Sequence, residues 1–521
     1  MVLIGTKLNP PSRLTFLRKN NFITYIIGGK LKTSQKEKED MQQRYRFKTE
    51  PYAHQRAALG ASWNKKDFAY FMEMGTGKSK VLIDNIAMLY DRGDIDSALI
   101  IAPKGVYKNW AELEIPKHLP DHIYAKIVAW TPNPNKQQKD DLLSLFQTTN
   151  DLVFFVMNIE ALSTKKGCGF AEKFLLGHKS VFAIDESTTI KNNSARRTKA
   201  AIKLSLLAEF RRILTGSPIT KSPLDLYSQC AFLDEDLLGF SSYYSYRNHF
   251  AVLQKRSIAT HSFQQIVGYR NLDELKDILG SFSYRVLKKD CLDLPDKIYL
   301  TRWVELTPEQ KRIYKELKDY AMAELGDSET VTTNSVITQI LRLQQVLCGF
   351  TRSDTGGITQ IPNNRITELM AVLEEVEGKC IIWAHYQHDI RTLVSKISEV
   401  YGAESVASYY GETPADERQG IVTRFQDLNS PLRFFVGQPR TGGFGLTLTA
   451  ASTVVYYSNS YDLEIRLQSE DRAHRIGQNN KVTYIDLCAA KTVDEKIIKS
   501  LRSKINIATQ ILGEDYKDWL V

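Results

Sequence analysis

Short apolar runs alternate with longer amphipathic stretches along most of the chain after residue 50. The runs of the first half are Phe68–Met72, Ala98–Ala102, Leu152–Met157, Val181–Asp185 and Arg212–Thr215. Each run has the length of a buried strand, and the stretches between the runs are long enough to form helices. Strands and helices that alternate in this way predict a parallel α/β sheet.

The same pattern starts again in the second half of the chain. Its apolar runs are Cys380–Ala384, Phe434–Val436, Thr453–Tyr457 and Val482–Asp486. A second sheet is therefore expected, and the predicted fold class is α/β with two parallel-sheet lobes in tandem. Two segments, about 224–284 and about 307–350, lack the strand pattern. We predict a helical insertion at each, because apolar residues recur there at helical spacing.

The predicted domain boundaries follow from these patterns. Residues 1–45 are a leader, and the chain around its end is charged and Gln-rich with few apolar residues. Residues 46–293 form the first lobe and residues 294–505 the second. Residues 506–521 are expected to form a C-terminal helix that braces the lobes.

Length, composition and charge narrow the class of protein. A chain of 521 residues is too long for a single core, so we expect at least two domains. No apolar run approaches the roughly 20 residues that span a bilayer, and the start lacks a secretory signal. We predict no membrane segment and an intracellular location, in a bacterial cytoplasm or nucleoid or in a eukaryotic nucleus. The six cysteines are far apart, which favours neither disulfides nor a zinc site. The net charge of +9 suits a polyanionic partner but does not by itself identify one.

A glycine-rich turn lies between the first strand and the helical stretch that follows it. Met74–Ser79 has the context of a phosphate-binding loop, in which Lys78 would contact the β- and γ-phosphates and Ser79 would bind Mg²⁺. The residues expected to hold the nucleotide here are Gly75, Thr76, Gly77, Lys78 and Ser79. A turn without a ligand is the alternative, because Met72 stands where the general pattern has glycine.

Two acidic residues, Asp185 and Glu186, stand at the end of the apolar run that starts at Val181. Ligand chemistry in α/β sheets lies at the carboxyl ends of strands. Asp185 would hold Mg²⁺ through water, and Glu186 would polarise the water that attacks the phosphate. Two acids at a strand end are also common in helix caps and solvated turns. Their position after a phosphate loop favours the catalytic interpretation.

A pair of arginines lies near the end of the second lobe, within Leu467–Gln478. Arg472 and Arg475 are three residues apart, so on a helix both guanidinium groups would project from one face. Such a pair could reach a phosphate bound in the other lobe as arginine fingers. The alternative is a surface helix in which Asp471 pairs with Arg475.

From Tyr52 to about Leu512 these motifs occur in the order found in the Swi/Snf-related ATPases of helicase superfamily two, and the chain resembles that family. In the first lobe the matching segments are Tyr52–Gln55, Met74–Ser79, Ile101–Lys104 with Asn109–Trp110, Asp185–Asn192 and Leu214–Ile219. In the second lobe they are Gly411 with Arg418 and Phe425, Arg440–Leu448, and Gln468–Gln478. One difference is Ser187–Thr188, where the family usually has a small residue followed by histidine.

The resemblance implies two RecA-like lobes, with ATP and Mg²⁺ as cofactors and DNA, duplex or branched, as the partner. It implies that Gln55 reads adenine and that Gly445 and Gln468 complete the nucleotide site. The residues expected to contact DNA are Lys104, Thr215, Arg440, Gly442 and Gly443.

The function implied is ATP-driven movement along double-stranded DNA, in replication, recombination or repair. A strand-separating or branch-migrating helicase and the motor subunit of a restriction or defence complex are alternatives. A DNA-binding scaffold with an inactive ATPase is a third hypothesis. It is disfavoured because Lys78, Asp185, Glu186, Arg472 and Arg475 are all present.

Overall fold

The computed structural model describes residues 45–512 apart from 148, 259–260, 292–293, 328–332, 353–356 and 443–445, together with four short strands before residue 45. These strands are β1 (Leu17–Lys19), β2 (Phe22–Thr24), β3 (Ile26–Ile27) and β4 (Lys30–Leu31). They pair as β1 with β2 and β3 with β4, both antiparallel. The rest of the predicted leader, 1–45, lies almost entirely outside the described residues.

The first half of the chain forms a seven-stranded parallel sheet and a separate hairpin. Its strands are β5 (Asp67–Met72), β6 (Ser97–Ala102), β7 (Ala125–Ala129), β8 (Leu152–Asn158), β9 (Ser180–Asp185), β10 (Phe210–Leu214), β11 (Ala251–Ile258), β12 (His261–Tyr269) and β13 (Ser283–Val286). The sheet order is β13-β5-β10-β9-β6-β8-β7, and β11 pairs with β12. Helices cover both faces of the sheet, and each face contributes its own apolar core.

The helices of this half are mostly short. They are α1 (Ala53–Ser62), α2 (Lys78–Asp91), α3 (Tyr107–Asn109), α4 (Ile115–His118), α5 (Lys136–Ser144), α6 (Lys165–Gly177), α7 (Arg196–Ser205), α8 (Leu226–Leu233), α9 (Tyr243–Phe250), α10 (Leu272–Gly280) and α11 (Lys288–Cys291). A π-helical stretch, Trp110–Glu114, joins α3 to α4.

The second half forms a six-stranded parallel sheet in the order β14-β21-β20-β17-β19-β18 and a small antiparallel pair, β15 with β16. Its strands are β14 (Lys297–Trp303), β15 (Phe350–Arg352), β16 (Ile358–Gln360), β17 (Lys379–Trp383), β18 (Val406–Tyr409), β19 (Phe434–Gly437), β20 (Ala451–Tyr456) and β21 (Val482–Cys488). Its helices are α12 (Pro308–Asp327), α13 (Thr333–Cys348), α14 (Arg365–Glu375), α15 (Gln387–Tyr401), α16 (Ala415–Gln426), α17 (Pro439–Gly442), α18 (Leu463–Glu470) and α19 (Val493–Leu512). Two parallel sheets flanked by helices confirm the predicted fold class.

Of the two segments predicted to be helical insertions, one is helical and the other also contains a β-hairpin. The segment 307–350 forms α12 and α13, as expected. The segment 224–284 is not wholly helical, because the β11–β12 hairpin lies between α9 and α10. Most described side chains of this hairpin are exposed. Since burial on one face produces the alternating pattern of a strand, an exposed hairpin leaves little trace of it in the sequence.

The C-terminal helix begins earlier than predicted. α19 starts at Val493 and not at residue 506, and residues 513–521 lie outside the described part of the chain. Ile507 and Ala508, near the end of α19, pack against the core of the first lobe. None of the helices in the described ranges is long and apolar enough to cross a membrane.

A buried ion pair anchors α19 within the second lobe. Arg365, in α14, is 1% exposed and forms a salt bridge with Asp494, in the first turn of α19. The same guanidinium donates hydrogen bonds to the carbonyl oxygens of Leu347, Tyr457 and Leu487. The pair therefore ties α14 and α19 to the ends of two strands.

We expect Asp494→Ala to destabilise the protein by about 3–5 kcal/mol, because it leaves the Arg365 charge buried without its counter-ion. Urea unfolding monitored by circular dichroism measures this. The control is Glu316→Ala, which removes one partner of the exposed Arg312–Glu316 pair on α12. It should leave the urea concentration at the midpoint of unfolding unchanged. Equal midpoints for both variants would contradict the prediction.

Candidate active site

The predicted phosphate-binding loop, Met74–Ser79, connects β5 to α2. Gly75 and Gly77 both have left-handed backbone conformations, with φ of +82° and +87°. The backbone N–H and the hydroxyl of Thr76 both donate to the carbonyl oxygen of Glu73, at 3.3 and 2.7 Å. No side chain caps the start of α2. The first backbone N–H groups of this helix and Lys78 therefore form a site suited to an anionic ligand.

Gln55 packs against this loop from α1. Its side-chain Nε2 donates to the carbonyl oxygen of Thr76 (3.1 Å), and its Oε1 accepts the N–H of Tyr52 (3.0 Å). A Cβ at Gly77 would lie 2.1 Å from Gln55 Nε2, so glycine is required there by close approach as well as by φ. The structure thus places Gln55 at the nucleotide loop, and its contact with adenine stays a prediction.

The two predicted acids lie at the end of β9, directly beside the loop. Trp110 Nε1 donates to Asp185 Oδ2, and the N–H of Glu186 donates to Asp185 Oδ1, both at 3.0 Å. Burial raises the pKa of both carboxyls, that of Glu186 to about 7, although the nearby Lys78 ammonium opposes the shift. The Glu186 backbone has a φ of +49°, a strained value for a residue with a side chain.

Trp110 belongs to the segment that follows Ile101–Lys104 in the family resemblance. Its side chain is 2% exposed, and its indole N–H donates to Asp185. The π-helical stretch that begins at Trp110 turns this side chain inward. Such stretches are common at functional sites.

Oxygen ligands suited to Mg²⁺ converge at the start of α2. Ser79 lies beside the carboxyl of Glu114. Partial burial raises the pKa of that carboxyl and the nearby Asp185 raises it further, whereas Lys117 and Ser79 oppose the shift. A hydroxyl and two carboxylates form the hard oxygen set that Mg²⁺ prefers, with phosphate oxygens and water completing the shell. Glu114 was not predicted as a site residue; it ends the π-helical stretch that packs against α2.

The predicted finger residues lie beyond the end of α18 and not on a helix, so our expectation of a shared helical face was wrong. Both side chains are instead brought together by one acceptor. Arg472 Nη1 and Arg475 Nη1 donate to the carbonyl oxygen of Leu446, at 3.2 and 3.1 Å. Gly477, with a φ of +98°, ends this turn.

Both arginines face the phosphate-binding loop of the other lobe. Arg472 Nη2 is 3.8 Å from Met74 Sδ, and a Cβ at Gly75 would be 3.9 Å from Arg475 Cβ. Burial lowers the pKa of both guanidinium groups, that of Arg472 to about 10. Arg472 is buried and Arg475 is partly buried. Two neighbouring cations in this position beside the loop would be stabilised by a polyphosphate.

The alternative, a surface helix in which Asp471 pairs with Arg475, does not agree with the contacts of Asp471. This residue forms a salt bridge with Lys288 of the first lobe (2.7 Å) and not with Arg475. Lys288 also donates to the carbonyl oxygen of His474 (2.7 Å) and is 5% exposed. Lys288 is therefore part of the contact between the lobes.

The residues predicted to contact DNA differ in how exposed they are. Lys104, which follows β6, and Arg440, in α17 after β19, are exposed. Thr215 is fully buried and its hydroxyl donates to Glu186 Oε2 (3.4 Å), a position that does not favour contact with DNA in this conformation. Gly442 ends α17, whereas Gly443 and Gly445 lie outside the described residues.

Gln468, the last residue expected at the nucleotide, is 6% exposed in α18 and lines the cavity between the lobes together with Glu186 and Thr215. Its Nε2 lies 3.4 Å from Glu464 Oε1. The cleft between the lobes thus brings together Lys78, Asp185, Glu186, Arg472 and Arg475, which lie far apart in the chain.

Two protein families match this chain. Residues 68–350 match the SNF2-related domain, and residues 363–477 match the helicase conserved C-terminal domain. An uncharacterized ATP-dependent helicase of Mycoplasma pneumoniae is 25% identical over 453 residues, and an ISWI chromatin-remodeling complex ATPase of Arabidopsis thaliana is 25% identical over 457. Each alignment covers 85% of this chain and 40% of the relative, so the chain spans less than half the length of these proteins.

Among solved structures, the Sulfolobus solfataricus SWI2/SNF2 ATPase core in complex with dsDNA is 24% identical, with a TM-score of 0.39. That alignment covers 92% of this chain and 96% of the other. The SNF2-related domain alone covers more than half of the 521 residues. The chain therefore belongs to the SNF2-related family of helicase superfamily two ATPases.

Proposed function

We propose that this chain hydrolyses ATP and uses the energy to move along double-stranded DNA. The observation that carries the proposal is the position of Arg475, whose Cβ lies 3.9 Å from where a Cβ at Gly75 would be, across the cleft between the lobes. Because the phosphate loop and the fingers belong to different lobes, hydrolysis would depend on how the lobes are placed. A change of nucleotide state would in turn change that placement.

The roles of the site residues follow from their positions. Lys78 and the loop amides would bind the phosphates, and Glu186 would orient the attacking water and accept its proton. Ser79 and Asp185 would hold Mg²⁺, which when bound neutralises charge on the phosphates. Arg475 would stabilise the charge that develops on the transferred phosphoryl group, so that both lobes contribute to one transition state.

Movement along DNA would come from two DNA contacts, one on each lobe, that are made and released in turn. Lys104 belongs to the first lobe and Arg440 to the second, and both are exposed. Each can contact a phosphate without reading a base, so binding would be largely independent of sequence. We propose that closure of the lobes around ATP shifts one contact relative to the other.

Strand separation is the second candidate function, favoured by the β11–β12 hairpin. The chain from Leu237 to Leu272 contains Lys255, Arg256 and two further arginines but no acidic residue. A basic hairpin with exposed side chains is an element that could hold one strand of a parted duplex. A duplex motor in replication, recombination or repair remains the function that we propose.

We expect blunt duplex DNA to stimulate ATP hydrolysis more than single-stranded DNA, and stimulation to fall as salt rises, because the grip is on phosphates. Lys104→Ala should lower the slope of log affinity against log salt by about 1. The control is Lys139→Ala, an exposed lysine on α5 beside the edge strand β7. ATPase assays with single-stranded, blunt and forked DNA measure the first effect and salt titrations the second. Strong stimulation by single strands with none by blunt duplex would replace our proposal with strand separation.

A further inference from the structure

A carboxylate of the second lobe is held by two donors of the first. Thr188 Oγ1 donates to Glu464 Oε1 at 2.7 Å, and Lys191 Nζ donates to Glu464 Oε2 at 2.9 Å. Both donors belong to the turn that directly follows Asp185 and Glu186. Glu464 lies in the first turn of α18, the helix that leads into the finger residues. One carboxylate therefore joins the acidic motif of one lobe to the finger segment of the other.

Each partner in this contact is fixed by its own lobe. Lys191 Nζ also donates to Thr220 Oγ1 (2.7 Å), and the carbonyl oxygen of Lys191 accepts the hydroxyl of Ser228 (3.0 Å). On the other side, the Asp462 carboxylate caps α18 by accepting the N–H of Glu464 (3.1 Å). Because each partner is held within its own lobe, little side-chain freedom has to be lost when the two lobes make this contact.

The contact also offsets the repulsion between two carboxylates that lie near each other where the lobes meet. Glu464 is close enough to Glu186 to act on it as a like charge, so bringing α18 onto the first lobe places two carboxylates near each other. Lys191 supplies the compensating positive charge, and its side chain and that of Glu464 are each only 19% exposed. An exposed ion pair would contribute little, but one sheltered between two lobes is less screened by solvent.

We propose that Glu464 is a positioning residue for ATP hydrolysis: its contact with Thr188 and Lys191 holds the lobes closed and so places Arg475 against the phosphate loop. The proposal rests on the hydrolysis proposed above. It also assigns a role to Thr188, which stands where a histidine is usual in the resembling family. In this chain the acidic motif would be linked to the second lobe through a hydroxyl and a lysine.

The test is Glu464→Gln, which keeps the size of the side chain and removes its charge. We expect kcat for DNA-stimulated ATP hydrolysis to fall about 5- to 150-fold, the usual range of coupling between two sites, with little change in KM for ATP. Thr188→Val should cause a smaller fall in kcat. The control is Glu399→Gln, which removes the charge of an exposed pair with Lys396 on α15 and should have no effect.

Two further measurements separate a positioning role from a general loss of structure. Small-angle X-ray scattering should show that a non-hydrolysable ATP analogue makes the wild type more compact and Glu464→Gln less so, at equal melting temperatures. The exchanged pair, Lys191→Glu with Glu464→Lys, should recover part of the kcat lost in each single variant. Unchanged kcat and compaction in Glu464→Gln, with an active wild type, would overturn the inference. An inactive wild type would instead overturn the proposed function.

Discussion

Glu186→Gln should lower the rate of ATP hydrolysis about 10²- to 10⁴-fold, the usual contribution of a general base, while ATP binding is retained. The amide has the shape of the carboxyl but cannot accept a proton from water. Glu186 is suited to the role because burial, with Asp185 and Glu464 nearby, raises the pKa of its carboxyl to about 7. A base with a pKa near the working pH transfers protons efficiently.

Steady-state ATPase assays with saturating duplex DNA measure this effect, and equilibrium binding of a fluorescent ATP analogue checks that the site is intact. The matched control is Glu112→Gln, an exposed glutamate in the same π-helical stretch as Trp110. Near-normal hydrolysis by Glu186→Gln would show that another group activates the water. The assignment of the acidic motif would then be wrong.

The predicted strands and the strands missed by the sequence differ in where they lie. The nine apolar runs correspond to the interior strands of the two large sheets, which helices cover on both faces. Within these two sheets, the four strands without a predicted run are the four edge strands, β7, β13, β14 and β18. Their side chains are mostly only partly buried, and β14 alternates with exposed positions. A search for continuous apolar runs therefore finds the middle of each sheet and misses its borders.

A similar distinction holds for the site. Lys78, Asp185 and Glu186 were predictable because their chemistry depends on a strand end and the turn after it, which are local in sequence. Glu464, Lys288 and the link from Trp110 to Asp185 were not. Glu464 meets residues more than 270 positions away, and Lys288 meets Asp471 183 positions away. Such pairs depend on how the lobes pack, which no local pattern records.

The finger residues lie between these two cases. The sequence identified Arg472 and Arg475 by type and spacing but gave the wrong reason for their common direction. On a helix, residues three apart project from the same face. In the structure the two arginines lie in a turn instead, and both guanidinium groups donate to the carbonyl oxygen of Leu446. Their role as arginine fingers stays a prediction. It does not require a helix, because it requires only that both side chains face the phosphate-binding loop.

Arg475→Ala should lower kcat for ATP hydrolysis about 10³- to 10⁵-fold with little loss of ATP binding, since an arginine finger acts on charge present only in the transition state. Of the two arginines, Arg475 is the better candidate. Its Cβ is the one closest to the Cβ position of Gly75, whereas Arg472 is almost fully buried and also donates to the carbonyl oxygen of Gln468.

The measurement is kcat with saturating duplex DNA, together with the dissociation constant of an ATP analogue. Arg475→Lys should restore only part of the rate, because lysine keeps the charge but cannot form the two parallel hydrogen bonds of a guanidinium. Arg424→Ala, which removes an exposed arginine from α16, is the control and should leave kcat unchanged. If Arg475→Ala hydrolysed ATP at the wild-type rate, its hydrogen bond to Leu446 would be its whole role. The cleft between the lobes would then have to supply the transition-state charge through Arg472 alone.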